Sequence, residues 1–288
     1  MNALEIRGLE KTFGSFSLGP LDLTVPLGSI YGLVGPNGSG KTTTLDLIFG
    51  MGAAAAGRIT VLGLDHLQDE VAMKSRVGFA SPELNYNAWG KVWKAIRFVK
   101  SFHADWDDAY CEQLLDAFRV QPDASISTLS YGNRIKLAVI LALAWRPQLV
   151  ILDEPTVGLD AIAKQELFSQ LLAAVSGSDR SVLISSHGLA DLERFADHVG
   201  MLRDGQLVFE GPMTDIVERF RMVDFEAREF ACANTLSGFV LQERSGDRWR
   251  ALIDETAVPL DRLTAMGARN IAASRVTLED VFVALGRR

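Results

Sequence analysis

A chain of 288 residues has room for one large domain with a smaller one beside it, and 48% hydrophobic with 23% charged residues is the composition of an ordered globular protein. The net charge of −7 argues against a general nucleic-acid binder, whose phosphate contacts need a Lys/Arg surface. Two cysteines, Cys111 and Cys232, lie far apart without metal-ligand spacing, which argues against a disulfide framework or a zinc site and fits a reducing, cytoplasmic setting. The N-terminal Met1-Asn2-Ala3-Leu4-Glu5-Ile6-Arg7 lacks the basic start and apolar run of a secretory leader, so none is expected. The most apolar region, residues 137–152, is broken by Arg146-Pro147-Gln148, and neither half is long enough to cross a bilayer. Work at a membrane would need another chain to cross it.

Residues 3–34 alternate short apolar runs with turn signals, which predicts a small antiparallel unit leading into a parallel one. Phe13, in Lys11-Thr12-Phe13-Gly14, is read with equal weight as an aromatic that stacks on a base or as a core or turn residue. A buried strand, Ser29-Ile30-Tyr31-Gly32-Leu33-Val34, then enters Gly35-Pro36-Asn37-Gly38-Ser39-Gly40-Lys41-Thr42-Thr43, and a helix follows. Strand, glycine-rich loop and helix together form the context that the phosphate-loop pattern requires. Glycines let successive N–H groups turn inward as an anion nest, and the following helix adds the positive end of its dipole. In such a loop Lys41 reaches the β- and γ-phosphates and the Thr42 hydroxyl can coordinate Mg2+. The nucleotide is therefore an expected ligand, with Gly35 to Thr43 as its cradle.

Strands are predicted at 57–63 and 76–80, after which the sequence turns helical from Tyr86 to Trp145. Trp89, Trp93, Ile96, Phe98 and Phe102, and then Tyr110, Leu114, Leu115 and Phe118, recur near helical spacing and are read as core rather than as a cofactor box. Residues 85–146 thus form a helical insertion. Parallel-sheet character returns with Leu149-Val150-Ile151-Leu152-Asp153 and Ser181-Val182-Leu183-Ile184-Ser185, apolar runs suited to strands covered on both faces. Asp204-Gly205 marks a hairpin that closes the main domain near Pro212. Beyond it, residues 214–222 read as helix, 238–242 and 248–253 as a hairpin, 260–266 and 278–285 as helices, and 270–274 as a strand.

The strand at 149–152 ends in Asp153-Glu154-Pro155. An acid at the end of a neighbouring buried strand is where the second Mg2+ contact belongs in phosphate-loop enzymes, and Glu154 beside it is placed to polarise a water for attack on the γ-phosphate. Adjacent acids can also simply cap a following helix, the blander reading. Between the two motifs lies Leu129-Ser130-Tyr131-Gly132-Asn133, just before a helix, where Ser130 and Gly132 can supply further phosphate donors.

That segment resembles the signature motif of ABC-type ATPases, Leu-Ser-Gly-Gly-Gln, from which Tyr131 and Asn133 depart. Val157-Gly158-Leu159-Asp160 is similar to the family's D-loop, contributing Asp160, and His187 in Ser185-Ser186-His187-Gly188 stands where the family's switch histidine follows a strand. One departure concerns the Q-loop: Ser81-Pro82-Glu83 replaces a glutamine, and Glu83 either offers a carboxylate to the metal or is a solvated turn residue.

The resemblance implies an α/β fold with a phosphate-loop NTPase core and mainly parallel sheet, an N-terminal antiparallel β subdomain and the helical insertion in an ATPase domain over residues 1–212. A small α+β accessory domain over 213–288 completes it. It implies an ATPase using ATP and Mg2+, with catalytic Lys41, Glu154 and His187, peripheral on the inner face of the cell membrane and attached to a separate transmembrane permease subunit. Two such domains, as a homodimer or with a related chain, would clamp ATP between one phosphate loop and the partner's Ser130-Tyr131-Gly132-Asn133. Val77-Gly78-Phe79, Asp105-Trp106-Asp107 and Thr277-Leu278-Glu279-Asp280-Val281-Phe282 resemble bacterial exporter-type subunits. The competing expectations are an ATPase of a soluble ribosome- or nucleic-acid-associated machine, and a nucleotide-gated regulatory subunit with little turnover.

Overall fold

The computed structural model describes residues 1–176, 179–228, 230 and 236–285, so Cys232 lies outside the described residues; Cys111 is a buried free thiol. The chain divides into two compact units, Met1–Gly188 with Phe195–Glu210, and Leu189–Arg194 with Gly211–Arg288.

In the first unit, β1 (Asn2–Phe13) and β2 (Phe16–Pro26) form an antiparallel pair in which Leu4 faces Val25 and Ile6 faces Leu23. The alternation buries Leu4, Ile6, Leu21, Leu23 and Val25 and leaves Arg7, Glu10 and Asp22 in water, the period-two pattern of a half-covered sheet. After β3 (Ile30–Val34) and α1 (Lys41–Ile48), β4 (Ala56–Val61) and β5 (Leu64–Asp65) complete the order β2-β1-β4-β5. The expected strand at 57–63 is thus antiparallel to β1.

The second sheet is built after α2 (Glu70–Lys74) from β6 (Val77–Ala80), β7 (Leu149–Leu152), β8 (Ser181–Ser186), β9 (His198–Arg203) and β10 (Gln206–Pro212) around β3, in the order β10-β9-β3-β8-β7-β6. β3, β7 and β8 are buried along their whole length, which is why their sequences read as continuous apolar runs rather than alternations. They are adjacent and parallel, with Val34 beside Ser186 and Leu152 beside Ile184. Their carboxyl ends therefore lie along one edge of the sheet, where ligands of open α/β sheets bind. The loops leaving those three ends carry Gly35–Thr43, Asp153-Glu154 and His187.

The insertion holds α3 (Val92–Lys100), α4 (Asp108–Phe118) and α5 (Tyr131–Leu143), followed in the chain by α6 (Ala161–Val175) after β7. Tyr110, Leu114, Leu115 and Phe118 are buried as expected. The aromatics expected around α3 are not all core: Trp89 and Trp93 are half-buried, whereas Phe98 is 44% and Phe102, just past the helix end, 70% exposed, and Trp89, Phe98 and Phe102 form a row of tilted and T-shaped ring pairs with centroids 4.8 and 5.1 Å apart. α3 buries Val92 and Ala95, with Ile96 and Val99 half-buried on the same side, and leaves Phe98 exposed.

In the second unit, α7 (Leu189–Leu192) and α8 (Met213–Arg219) precede β11 (Phe220–Glu226), β12 (Phe239–Ser245), β13 (Arg248–Asp254), α9 (Leu260–Ala265), β14 (Arg269–Ser274) and α10 (Leu278–Leu285). The helix expected over 214–222 ends at Arg219, because Phe220, Met222 and Phe225 belong to a central strand paired with both β13 and β14. The sheet, ordered β12-β13-β11-β14, buries Phe225, Phe239 and Trp249 on one face.

Candidate active site

The phosphate loop leaves β3 at Val34 and enters α1 at Lys41. Gly40, the N-cap, has φ 105°, and Gly38 has φ 79°, conformations that L side chains rarely adopt. A Cβ at Gly35 would lie 2.3 Å from the Leu202 carbonyl oxygen and 2.5 Å from Ser39 Oγ. Pro36, Asn37 and Gly38 form an exposed tip, whereas Ser39 and Lys41 are buried beneath it, and Thr42 and Thr43 are half-buried on the first turn. Ser39 Oγ is a buried hydroxyl without a hydrogen-bond partner among the described residues, a donor that suits an anion entering the cradle. Lys41 Nζ donates to the carbonyl oxygens of Gly35 (2.8 Å) and Pro36 (3.2 Å) and lies 3.2 Å from Glu154 Oε1.

Thr42 Oγ1 donates to Asp153 Oδ2 at 3.0 Å, bringing together two oxygen groups of the kind Mg2+ takes. Asp153 is 4% exposed, and Ser185 Oγ donates to its other oxygen at 2.5 Å. Glu154 follows with φ 45°, its N–H donating to Ser185 Oγ at 2.9 Å. Its carboxylate lies between two basic groups, Lys41 on Oε1 and His187 Nδ1 at 2.8 Å on Oε2. Lys41, Thr42, Asp153, Glu154 and His187 thus meet in one cluster.

A second cluster holds the signature segment. Ser130 caps α5, its Oγ accepting from the Asn133 N–H at 3.2 Å, and Tyr131 is 42% exposed. A Cβ at Gly132 would lie 2.7 Å from the Gly158 carbonyl oxygen, and one at Gly158 the same distance from Tyr131 Cδ1, so the signature and the D-loop touch within one chain. Asp160 caps α6 by accepting from the Ala163 N–H at 2.8 Å. Among the described residues no hydrogen bond or ion pair joins Ser130–Asn133 to the phosphate loop.

Phe13 is 53% exposed with Lys11 Nζ 4.7 Å from its ring centroid, so it is not a core residue. The hairpin that bears it reaches the phosphate loop through Phe16, whose Cζ would lie 3.1 Å from a Cβ at Gly40. Glu83 is an exposed turn residue whose N–H donates to Ser81 Oγ at 3.3 Å. It stands near Tyr131 in the lining of a cavity of about 170 Å³. Two neighbours of the cluster escaped the sequence reading as participants, Ser185 and Asp46. A polar residue ending an apolar run was the available signal for Ser185; nothing marked Asp46.

The family model for "ABC transporter" matches residues 18–157, which include the phosphate loop, the signature segment and Asp153-Glu154. The Nod factor export ATP-binding protein I of Cupriavidus pinatubonensis is 30% identical over 99% of this chain and 91% of its own length. The chain belongs to the ABC transporter family as an ATP-binding subunit. Members of this kind are ATPases, and this ABC subunit binds and hydrolyses ATP to drive transport. It is also similar to the bacitracin transport ATP-binding protein BcrA of Bacillus licheniformis, 28% identical over 83% of this chain and 78% of the other. Among solved structures, an ATP binding subunit of an ABC transporter superimposes with a TM-score of 0.68 and 25% identity, covering 75% of this chain and 92% of that one. None of the described helices is long and apolar enough to cross a membrane.

Asp46 of α1 gives this ABC subunit a pH signature. Burial, with the charges of Asp153 and then Glu83, pushes its carboxyl up to about 6 from the ordinary 3.8. Between those values the folded chain holds more protons than the unfolded one, so this group's contribution to stability falls as pH rises through the window and stays lower above it. In melts with a chelator, Asp46→Asn is therefore expected to be more stable than wild type at pH 7.5, with the difference shrinking towards pH 4. A pH-independent difference contradicts this.

Proposed function

We propose that this chain is the motor of an exporter whose membrane-spanning subunit is a separate polypeptide, residues 1–212 acting as the ATPase and 213–288 as an accessory domain. Two copies pair head to tail, each phosphate loop closing on ATP against the other copy's Ser130-Tyr131-Gly132-Asn133. The observation that carries this reading is the division of the phosphate-binding groups on one chain: among the described residues no hydrogen bond or ion pair joins Ser130–Asn133 to the phosphate loop, although each is equipped for phosphate. The Nod factor export protein among its relatives supports the direction.

In this reading Lys41 exchanges its contact with Glu154 for the β- and γ-phosphates, and Phe13 stacks on the adenine. Glu154, released on one side and held by His187 on the other, takes a proton from the attacking water as its oxygen bonds to the γ-phosphorus. The bond from that phosphorus to the bridging oxygen breaks, and ADP and phosphate leave. Thr42 and Asp153, with Glu83 as a third oxygen, would hold Mg2+, which supplies neutralisation of the phosphate charge. Asp160 keeps the D-loop at the start of α6. ATP then acts as a ligand that favours the paired state, and hydrolysis releases it.

The exposed Phe98 and Phe102, with the half-buried Trp89 against Phe98 and beside the cavity lined by Ser81 to Tyr86, offer the docking surface for the membrane subunit on the cytoplasmic face. Isolation of the protein in detergent from its native membranes is expected to recover an integral membrane polypeptide. Phe98→Ala with Phe102→Ala should reduce that recovery severalfold without loss of fold. Recovery only with ribosomes or DNA would overturn the transport assignment.

A further inference from the structure

We infer that Ser185 is a positioning residue for hydrolysis, its buried hydroxyl setting the geometry of Asp153 and Glu154 together. The inference rests on the reading of Asp153 as the cation-holding acid and Glu154 as the base. Ser185 is fully buried near the end of β8, after the apolar run Val182-Leu183-Ile184. A hydroxyl in that setting is unfavourable unless its hydrogen bonds are made. It makes two, one to each acid: the Glu154 N–H at 2.9 Å and Asp153 Oδ1 at 2.5 Å.

The polarity of this bridge is fixed. A backbone N–H can only donate, so the Ser185 oxygen accepts from Glu154 and its single proton is committed to Asp153. Asp153 is then held at both oxygens, by Ser185 on Oδ1 and Thr42 on Oδ2, which fixes the plane of the carboxylate towards the phosphate loop. Glu154 sits at φ 45°, a left-handed conformation uncommon for a side chain of its size and one that persists only where its surroundings hold it. The Ser185 bond to its N–H and the bond from the Val157 N–H to its carbonyl oxygen (3.2 Å) are the local restraints that hold it. From that backbone the Glu154 side chain reaches between Lys41 and His187. Among the described residues no hydrogen bond joins the Ser185 hydroxyl to Lys41 or His187, so it acts through the two acids.

The test compares Ser185→Ala and Ser185→Thr with wild type in three readouts: thermal melting, steady-state kcat and KM for ATP, and Mn2+ binding to the ADP-loaded protein from the loss of the free-ion EPR signal. Ser185→Ala is expected to keep KM within about threefold while kcat and Mn2+ affinity each fall about 10–100-fold, the size of effect seen when a residue orienting a metal ligand is removed. Ser185→Thr, which keeps the hydroxyl, is expected to recover most of both. A folded Ser185→Ala with kcat and Mn2+ affinity near wild type overturns the inference, as does a folded Thr variant as impaired as Ala. If the Ala variant does not fold, Ser185→Cys, of similar shape and with a weak donor, is held to the same expectations. Glu154→Gln run alongside separates the two levels: its inactivity with a wild-type-like Ser185→Ala sinks this inference alone, and turnover at the wild-type rate in both sinks the hydrolytic reading of Glu154.

Discussion

Glu154→Gln should turn over ATP at least about 100-fold more slowly than wild type, the span that loss of a general base produces, while still binding ATP. The substitution keeps the shape and a carbonyl oxygen facing His187, and it removes the charge facing Lys41. Binding is expected to be retained or strengthened, because Lys41 no longer has to leave a carboxylate to meet the phosphates. Equal turnover by the two proteins, measured as phosphate release with nucleotide binding monitored in parallel, would show that another group takes the proton. If both bind ATP and neither turns it over, the chain is a nucleotide-gated regulator.

Lys41→Ala is expected to be the most damaging single change for ATP affinity. Hydrogen bonds to charged groups contribute about 1.5–3 kcal/mol each, so removing the ammonium should raise Kd for ATP about 10–100-fold. A second consequence follows from burial: Lys41 is 6% exposed and the Glu154 side chain 15%, so the variant leaves a shielded carboxylate without its cation. Turnover at saturating ATP should fall as well, because the ammonium that neutralises the γ-phosphate charge is gone. Lys41→Arg is not expected to rescue, since a forked guanidinium cannot reproduce the bonds of an ammonium to Gly35 and Pro36 inside this loop. Calorimetric titration with ATP checks the first effect; an unchanged Kd would contradict the role of Lys41.

The phosphate loop was legible because its chemistry constrains residue types: Gly38 and Gly40 adopt positive φ, Gly35 has no room for a Cβ, and a strand and helix flank them. Continuous apolar runs revealed β7 and β8 for the same reason, since a strand buried on both faces leaves no place for polar residues. Periodicity was less informative for α3. A stripe at helical spacing marks two sides of a helix without saying which is wet; Phe98 is on the outer one, and Phe102 is exposed just past the helix end. The strand at Phe220–Glu226 was hidden because Met213–Arg219 runs into it without a turn signal, and only pairing with β13 and β14 decides its state. The Ser185 bridge joins three residues from two strand ends separated by more than 30 positions, a relation that register creates and local pattern does not contain.

In the proposed mechanism ATP joins two copies of this chain by completing each phosphate loop with the other's signature segment. Sedimentation of the Glu154→Gln protein with and without MgATP tests it most directly, because slow hydrolysis lets the paired state accumulate. An ATP-dependent shift from the 31.5 kDa chain to a species of twice that mass is expected, abolished by Gly132→Glu, which places bulk and charge where Gly158 leaves no space. A protein that remains at the mass of one chain at saturating MgATP, or that pairs equally well with Gly132→Glu, would contradict it.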